Sequence, residues 1–65
     1  MKVYALLGGY DYEGLELLGV YASRDEAVEA YELVRDRERF DTVQVETREL
    51  GAPAAGVGYN EVEYI

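Results

Sequence analysis

The segment Ser23-Arg24-Asp25-Glu26 constrains this chain more than any other, because it has the form of a capping box and so fixes where a helix begins. The Ser23 hydroxyl is placed to accept from the Glu26 amide and the Glu26 carboxylate to reach back to the Ser23 amide, which satisfies two donors left open at a helix start. Behind the box, Ala27, Ala30, Tyr31 and Val34 fall on one stripe at helical spacing, with Val28 and Leu33 beside it. Acids gather in the first half (Asp25, Glu26, Glu29, Glu32), with Arg35, Arg37 and Arg39 near the end, the order that the helix dipole favours. This spacing predicts a helix that stops near Arg37 and lays its apolar stripe on a sheet.

The flanking segments supply that sheet. Lys2 to Leu7 is β-branched, aromatic and aliphatic, with Val3, Ala5 and Leu7 on one face and Lys2, Tyr4 and Leu6 on the other. Gly8 to Gly14 holds three glycines and two acids, the composition of a hairpin connection longer than a two-residue turn. Leu15 to Ala22 is strand-like again, and simple alternation groups Leu18, Val20 and Ala22 against Leu17, Gly19 and Tyr21. Both faces are partly apolar. A helix covers one of them, and the other is open to a further element or a partner. After the helix, Val43 and Val45 alternate with polar residues from Thr42 to Arg48, as in a strand with one wet face. The expected fold is α+β: a ββαβ unit over residues 1–50, with an antiparallel three-stranded sheet of order 2-1-3 and one helix on one face. Residues 51–58 form a Gly/Ala/Pro linker, and residues 59–65, with Val62 and Tyr64 alternating, form a tail or a short fourth strand.

With 65 residues the core is thin, and a domain of this size supplies about 3–5 kcal/mol unless a disulfide, a metal or a partner adds to it. The chain has no Cys and no His, which leaves self-association as the remaining stabiliser. Fourteen acidic residues against six basic ones give a net charge of −8, which repels nucleic-acid phosphates and anionic membranes. No apolar run approaches the roughly 20 residues that span a bilayer. The expectation is a soluble cytoplasmic protein with no membrane contact and no direct nucleic-acid binding. The acids are ten Glu and four Asp and Arg outnumbers Lys five to one, a bias that suits a thermophilic or GC-rich source, with halophilic adaptation as the second reading.

Catalytic groups are scarce. The chain has one Ser, one Lys and two Thr, and Ser23 is occupied by its cap. Asp11 and Glu13, on a loop beside two tyrosines, are the natural candidates for a carboxylate pair, but a solvated loop does not raise a carboxylate's pKa enough for acid–base work. The glycines at 8, 9 and 14 do not match the phosphate-loop spacing and precede a strand; they read as residues that give a hairpin loop its positive φ. No enzyme activity, cofactor or metal site is expected. Seven of the eight aromatic residues are Tyr, a side chain common at protein interfaces because it is rigid, apolar on its face and polar at its tip. Tyr4, Tyr21 and Tyr31 belong to the body of the domain. The candidate contact residues are Tyr10, Asp11, Tyr12 and Glu13 in the loop and Tyr59, Val62 and Tyr64 in the tail.

The order of features, Val3-Tyr4, then Gly9-Tyr10-Asp11-Tyr12, then Gly19-Val20-Tyr21-Ala22-Ser23-Arg24-Asp25-Glu26-Ala27, resembles a family of short prokaryotic and bacteriophage proteins of unknown function. Those combine a strand, a Gly-x-Tyr-Ser-Asp-Tyr-type loop, a capped helix and a final Glu-rich strand. The resemblance covers residues 2 to 50; the chain lacks the Ser before Asp11 and carries an extension past Leu50. It implies a phage or microbial accessory protein and supplies no activity. The function expected is a non-enzymatic protein–protein interaction module that self-associates. The alternative is an acidic inhibitor that mimics nucleic acid, with Glu29, Glu32 and Asp36 imitating a row of phosphates together with Asp11 and Glu13.

Overall fold

A computed structural model of the chain describes residues 1–51 and 61–65; most of the expected linker, and Tyr59 of the expected tail, lie outside the described residues. The elements are β1 (Lys2–Tyr10), β2 (Gly14–Tyr21), α1 (Arg24–Val34), β3 (Thr42–Glu49) and β4 (Glu61–Tyr64). They make one antiparallel sheet of order β2-β1-β3-β4 with α1 on one face, an α+β fold that extends the expected 2-1-3 order by a fourth strand. The tail therefore pairs with β3 of its own chain, along Gln44 to Thr47.

Four departures from the expected elements have clear physical reasons. First, β1 runs through Gly8 and Gly9 to Tyr10 rather than ending at Leu7. Of the three hairpin glycines only Gly14, at φ +80°, uses positive φ, following the turn in which the Glu13 amide donates to the Tyr10 carbonyl at 3.0 Å. Gly9 is there for close approach, since a Cβ would overlap the Gly14 carbonyl. Second, the β1–β2 register shifts between Leu6 and Leu7, so Leu18 is an inserted residue. Leu18 packs on the core with Tyr21, while Val20 turns to the other face with Leu17, against the grouping that simple alternation gives.

Third, α1 ends at Val34, with Arg35 as its C-cap, so Arg35, Arg37 and Arg39 fall beyond its last turn rather than within it. An irregular turn follows, in which the Val34 carbonyl accepts from both the Arg37 and Glu38 amides. Fourth, the capping box is half formed. The Glu26 amide donates to Ser23 Oγ at 3.1 Å, but among the described residues no bond joins the Ser23 amide to the Glu26 carboxylate.

The core lies between α1 and the near face of the sheet. Leu6, Ala27, Val43 and Val45 are buried, and half-buried Tyr4, Tyr21, Tyr31 and Phe40 pack around them. Leu6 and Val45, cross-strand neighbours on β1 and β3, are the largest fully buried side chains. The helix presents its predicted stripe, with Ala27 fully buried against the sheet, and leaves Leu33 in solvent. Arg24 at the helix start donates Nε–H to Glu63 of β4 at 2.7 Å, which ties the tail strand to the helix layer.

Candidate functional site

The cross-strand register assigns every strand residue to one of two faces. One face meets the helix. On the other, four residues align across all four strands as the row Leu17, Leu7, Gln44 and Tyr64. A second complete row is Val20, Ala5, Glu46 and Val62. Leu15, Gly9 and Thr42 continue the face towards the hairpin, and Val3 and Arg48 continue it towards the far end. No element of the described residues covers this open face. Leu15, Leu17 and Val20 of β2 and Val62 and Tyr64 of β4 are between 41% and 71% exposed on it, two apolar flanks on either side of a centre in which Ala5 and Gln44 are 7% and 8% exposed.

Charge is distributed in the opposite sense. Of the strand acids, Glu16, Glu49, Glu61 and Glu63 pair with residues of the helix-covered face; Glu46 is the one placed on the open face. Glu46 is held there by Arg48, whose guanidinium lies 2.8 Å from its carboxylate. The remaining acids lie on α1 or in the turns. The open face is therefore a near-neutral window in a chain of net charge −8.

The sequence-derived candidates divide between the two faces. Val62 and Tyr64 stand on the open face. Tyr64 joins Tyr10, Asp11, Leu15, Thr42 and Gln44 around a groove of about 330 Å³ at the hairpin end of the sheet, so three of the loop and tail candidates do come together. Tyr10, however, packs towards the helix layer, its ring 5.6 Å from Phe40 and its hydroxyl donating to Glu38 Oε1 at 2.8 Å. That hydrogen bond to a carboxylate is the main reason its phenol is pushed up to about 12. Tyr12 stacks on Tyr10 with ring centroids 6.1 Å apart and is otherwise exposed. Asp11 donates its amide to Asp41 Oδ2, and Glu13 points into solvent at the tip. Ser23 and Glu26 serve the helix cap. Among the described residues no three potential metal ligands cluster, and no helix is long and apolar enough to cross a membrane.

The residues missed as candidates are Leu15, Leu17 and Val20 of β2, Leu7 of β1 and Gln44 of β3. Their signal was the apolar character of both strand faces; the inserted Leu18 hid which residues share a face. Gln44 is the one buried polar residue, 8% exposed, and its side chain makes no hydrogen bond among the described residues.

A family model described as Domain of unknown function (DUF7336) matches residues 1–53. The chain belongs to this family. The DUF7336 match contains β1, β2, α1 and β3, hence most of the open face, and stops short of β4 with its Val62 and Tyr64. Neither the curated proteins nor the solved structures compared with the chain give a significant match.

Proposed function

We propose that this chain is a non-enzymatic protein-interaction module of phage or microbial origin, and that the open sheet face is its working surface. The observation that carries the reading is an apolar sheet face that no described element covers, kept free of unpaired charge in a strongly acidic chain. Monomeric proteins rarely leave such a surface exposed. The partner class it fits is a protein with a flat apolar surface, of which a second copy of this chain is the first to consider. The small Cys-free composition and the resemblance at residues 2–50 support the accessory-protein part of the reading.

The test compares two sets of variants of the full chain. Leu17→Glu and Val20→Glu place charge on the open face, whereas Glu29→Gln and Glu32→Gln neutralise the exposed side of the helix. Proteins retained by the immobilised chain are identified by mass spectrometry and re-tested in purified form. Loss of binding in the face variants alone supports the reading. Loss in the helix variants alone overturns it and favours a nucleic-acid mimic.

A further inference from the structure

We propose that the open face is covered by the same face of a second copy, related by a two-fold axis that runs across the strands along the row Leu17, Leu7, Gln44 and Tyr64. The proposal rests on the reading of the open face as the working surface and adds its occupant and its register.

Charge selects the face through which two copies can meet. Two copies that each carry −8 repel through nearly every approach, because the acids lie on the helix, the turns and the helix-side faces of the strands. Joining the open faces sends both helix layers outward. Packed sheets stand about 10 Å apart, and each helix layer lies roughly another 10 Å beyond its sheet, so the two acidic layers end up about 30 Å apart. That exceeds the Debye length of about 10 Å at 0.1 M salt several times over.

The edges of the sheet are poorer alternatives. β2, one edge, is broken by the inserted Leu18, and β4, the other, is only four residues long. Bulges and short edge strands are the usual means by which a sheet blocks edge pairing.

Side-chain chemistry selects the axis. Each residue on a two-fold axis meets its own copy, so a residue there must be able to pair with itself. An axis on the row of Glu46 sets two carboxylates face to face. The row of Leu17 contains no charge, and its polar member is Gln44, whose amide holds both a donor and an acceptor. Two amides related by the axis satisfy each other. The same axis lays Val20 of one copy over Leu15 of the other.

Area sets the strength. Four strands about 4.8 Å apart and eight residues of about 3.4 Å rise give a footprint near 500 Å² per copy. The total of about 1,000 Å² stands at the lower limit of specific interfaces. A dimer on the order of micromolar affinity, visible by its concentration dependence, is the expected result.

The chain has no Cys, so single cysteines report the register cleanly. Facing backbones about 10 Å apart are too distant for a direct disulfide, so a bismaleimide of similar span is the probe. Leu17→Cys is expected to cross-link to itself, whereas Leu15→Cys and Val20→Cys cross-link efficiently only when mixed. In sedimentation equilibrium, Gln44→Glu is expected to dissociate the dimer at pH 7 and to restore it once the carboxylates are protonated, below about pH 4. Circular dichroism checks that each variant is folded. Self-linking of Leu15→Cys in preference to Leu17→Cys overturns the axis. A chain that stays monomeric at millimolar concentration overturns the occupant; if Leu17→Glu still abolishes binding to another purified protein, the interaction reading survives that failure. If the dimer forms and Leu17→Glu leaves it intact, both fall.

Discussion

Leu6 and Leu17 are the same residue type on neighbouring strands of one sheet, and their truncation separates the two faces energetically. Leu6 is 1% exposed in the centre of the core, so Leu6→Ala removes buried methyls and leaves a cavity between β1, β3 and α1. The expected cost is about 2–5 kcal/mol. Leu17 is 59% exposed, so about two-fifths of its side chain is out of water. Scaling a full burial of about 1.5–3 kcal/mol by that fraction gives about 1 kcal/mol for Leu17→Ala, with no cavity term because the site is open to solvent. A domain of this size holds only about 3–5 kcal/mol in total, so Leu6→Ala is brought close to its unfolding midpoint at 25 °C while Leu17→Ala keeps most of its stability. Urea unfolding followed by circular dichroism at low micromolar concentration measures both. Equal costs for the two variants at the lowest concentration would refute the assignment of faces. At higher concentration the cost of Leu17→Ala is expected to grow by mass action, as a second copy covers the site.

Three further outcomes follow from single contacts. Ser23→Ala removes the bond from the Glu26 amide and is expected to cost about 0.5–2 kcal/mol, with Ser23→Gly costing less, read as a fall in thermal midpoint. Gly9→Ala clashes with backbone and is expected to destabilise more than Gly14→Ala, whose left-handed φ costs about 1–2 kcal/mol but whose Cβ meets open space; urea midpoints rank the pair. Tyr10 is expected to ionise near pH 12 in ultraviolet titration. Its folded pKa is raised above the ordinary value of about 10, so the stability it contributes is complete below pH 10 and lost as pH rises towards 12. Tyr10→Phe is expected to abolish that part of the alkaline transition, whereas an unchanged transition would mean that the bond to Glu38 does not form in solution.

Most of the architecture was legible because local signals agreed with one another. The cap at Ser23, the helical stripe and the alternation of Val43 with Val45 leave few topologies besides a hairpin, a helix and an antiparallel return strand. Three features were hidden for separate reasons. Glycines favour turns in general, so Gly8 and Gly9 read as loop, although the Gly14 carbonyl and the Leu18 and Phe40 side chains in fact require their small size within β1. An inserted residue leaves no mark in alternation; Leu18 therefore took Val20 with it to the wrong face. The helix end lacked a Gly or Pro stop, so the arginines after Val34 were read into the last turn. The site followed the same pattern. Tyrosine enrichment pointed to the loop and tail, yet Tyr10 is spent on Glu38 and Phe40, and Tyr64 shares its sheet face with the exposed aliphatic residues Leu15, Leu17 and Val20 of β2.

The net charge of −8 gives the two functional readings opposite responses to salt, and this decides between them without knowledge of the natural partner. A nucleic-acid mimic binds a basic protein through exposed carboxylates such as Glu29 and Glu32, and added salt screens that attraction, so affinity falls steeply. An interface built on the open face has almost no net charge of its own, since Glu46 is paired with Arg48 within the chain. The long-range term that remains is repulsion between the two acidic copies. Salt screens this repulsion, and moderate salt also favours burial of Leu15, Leu17 and Val20. Self-association is therefore expected to strengthen, or at least not to weaken, between about 0.05 M and 0.5 M sodium chloride, where the Debye length falls from about 14 Å to about 4 Å. The association constant from sedimentation equilibrium across that range is the measurement. A steep loss of affinity with salt would place the contact on the helix layer, and the open sheet face would then need another explanation.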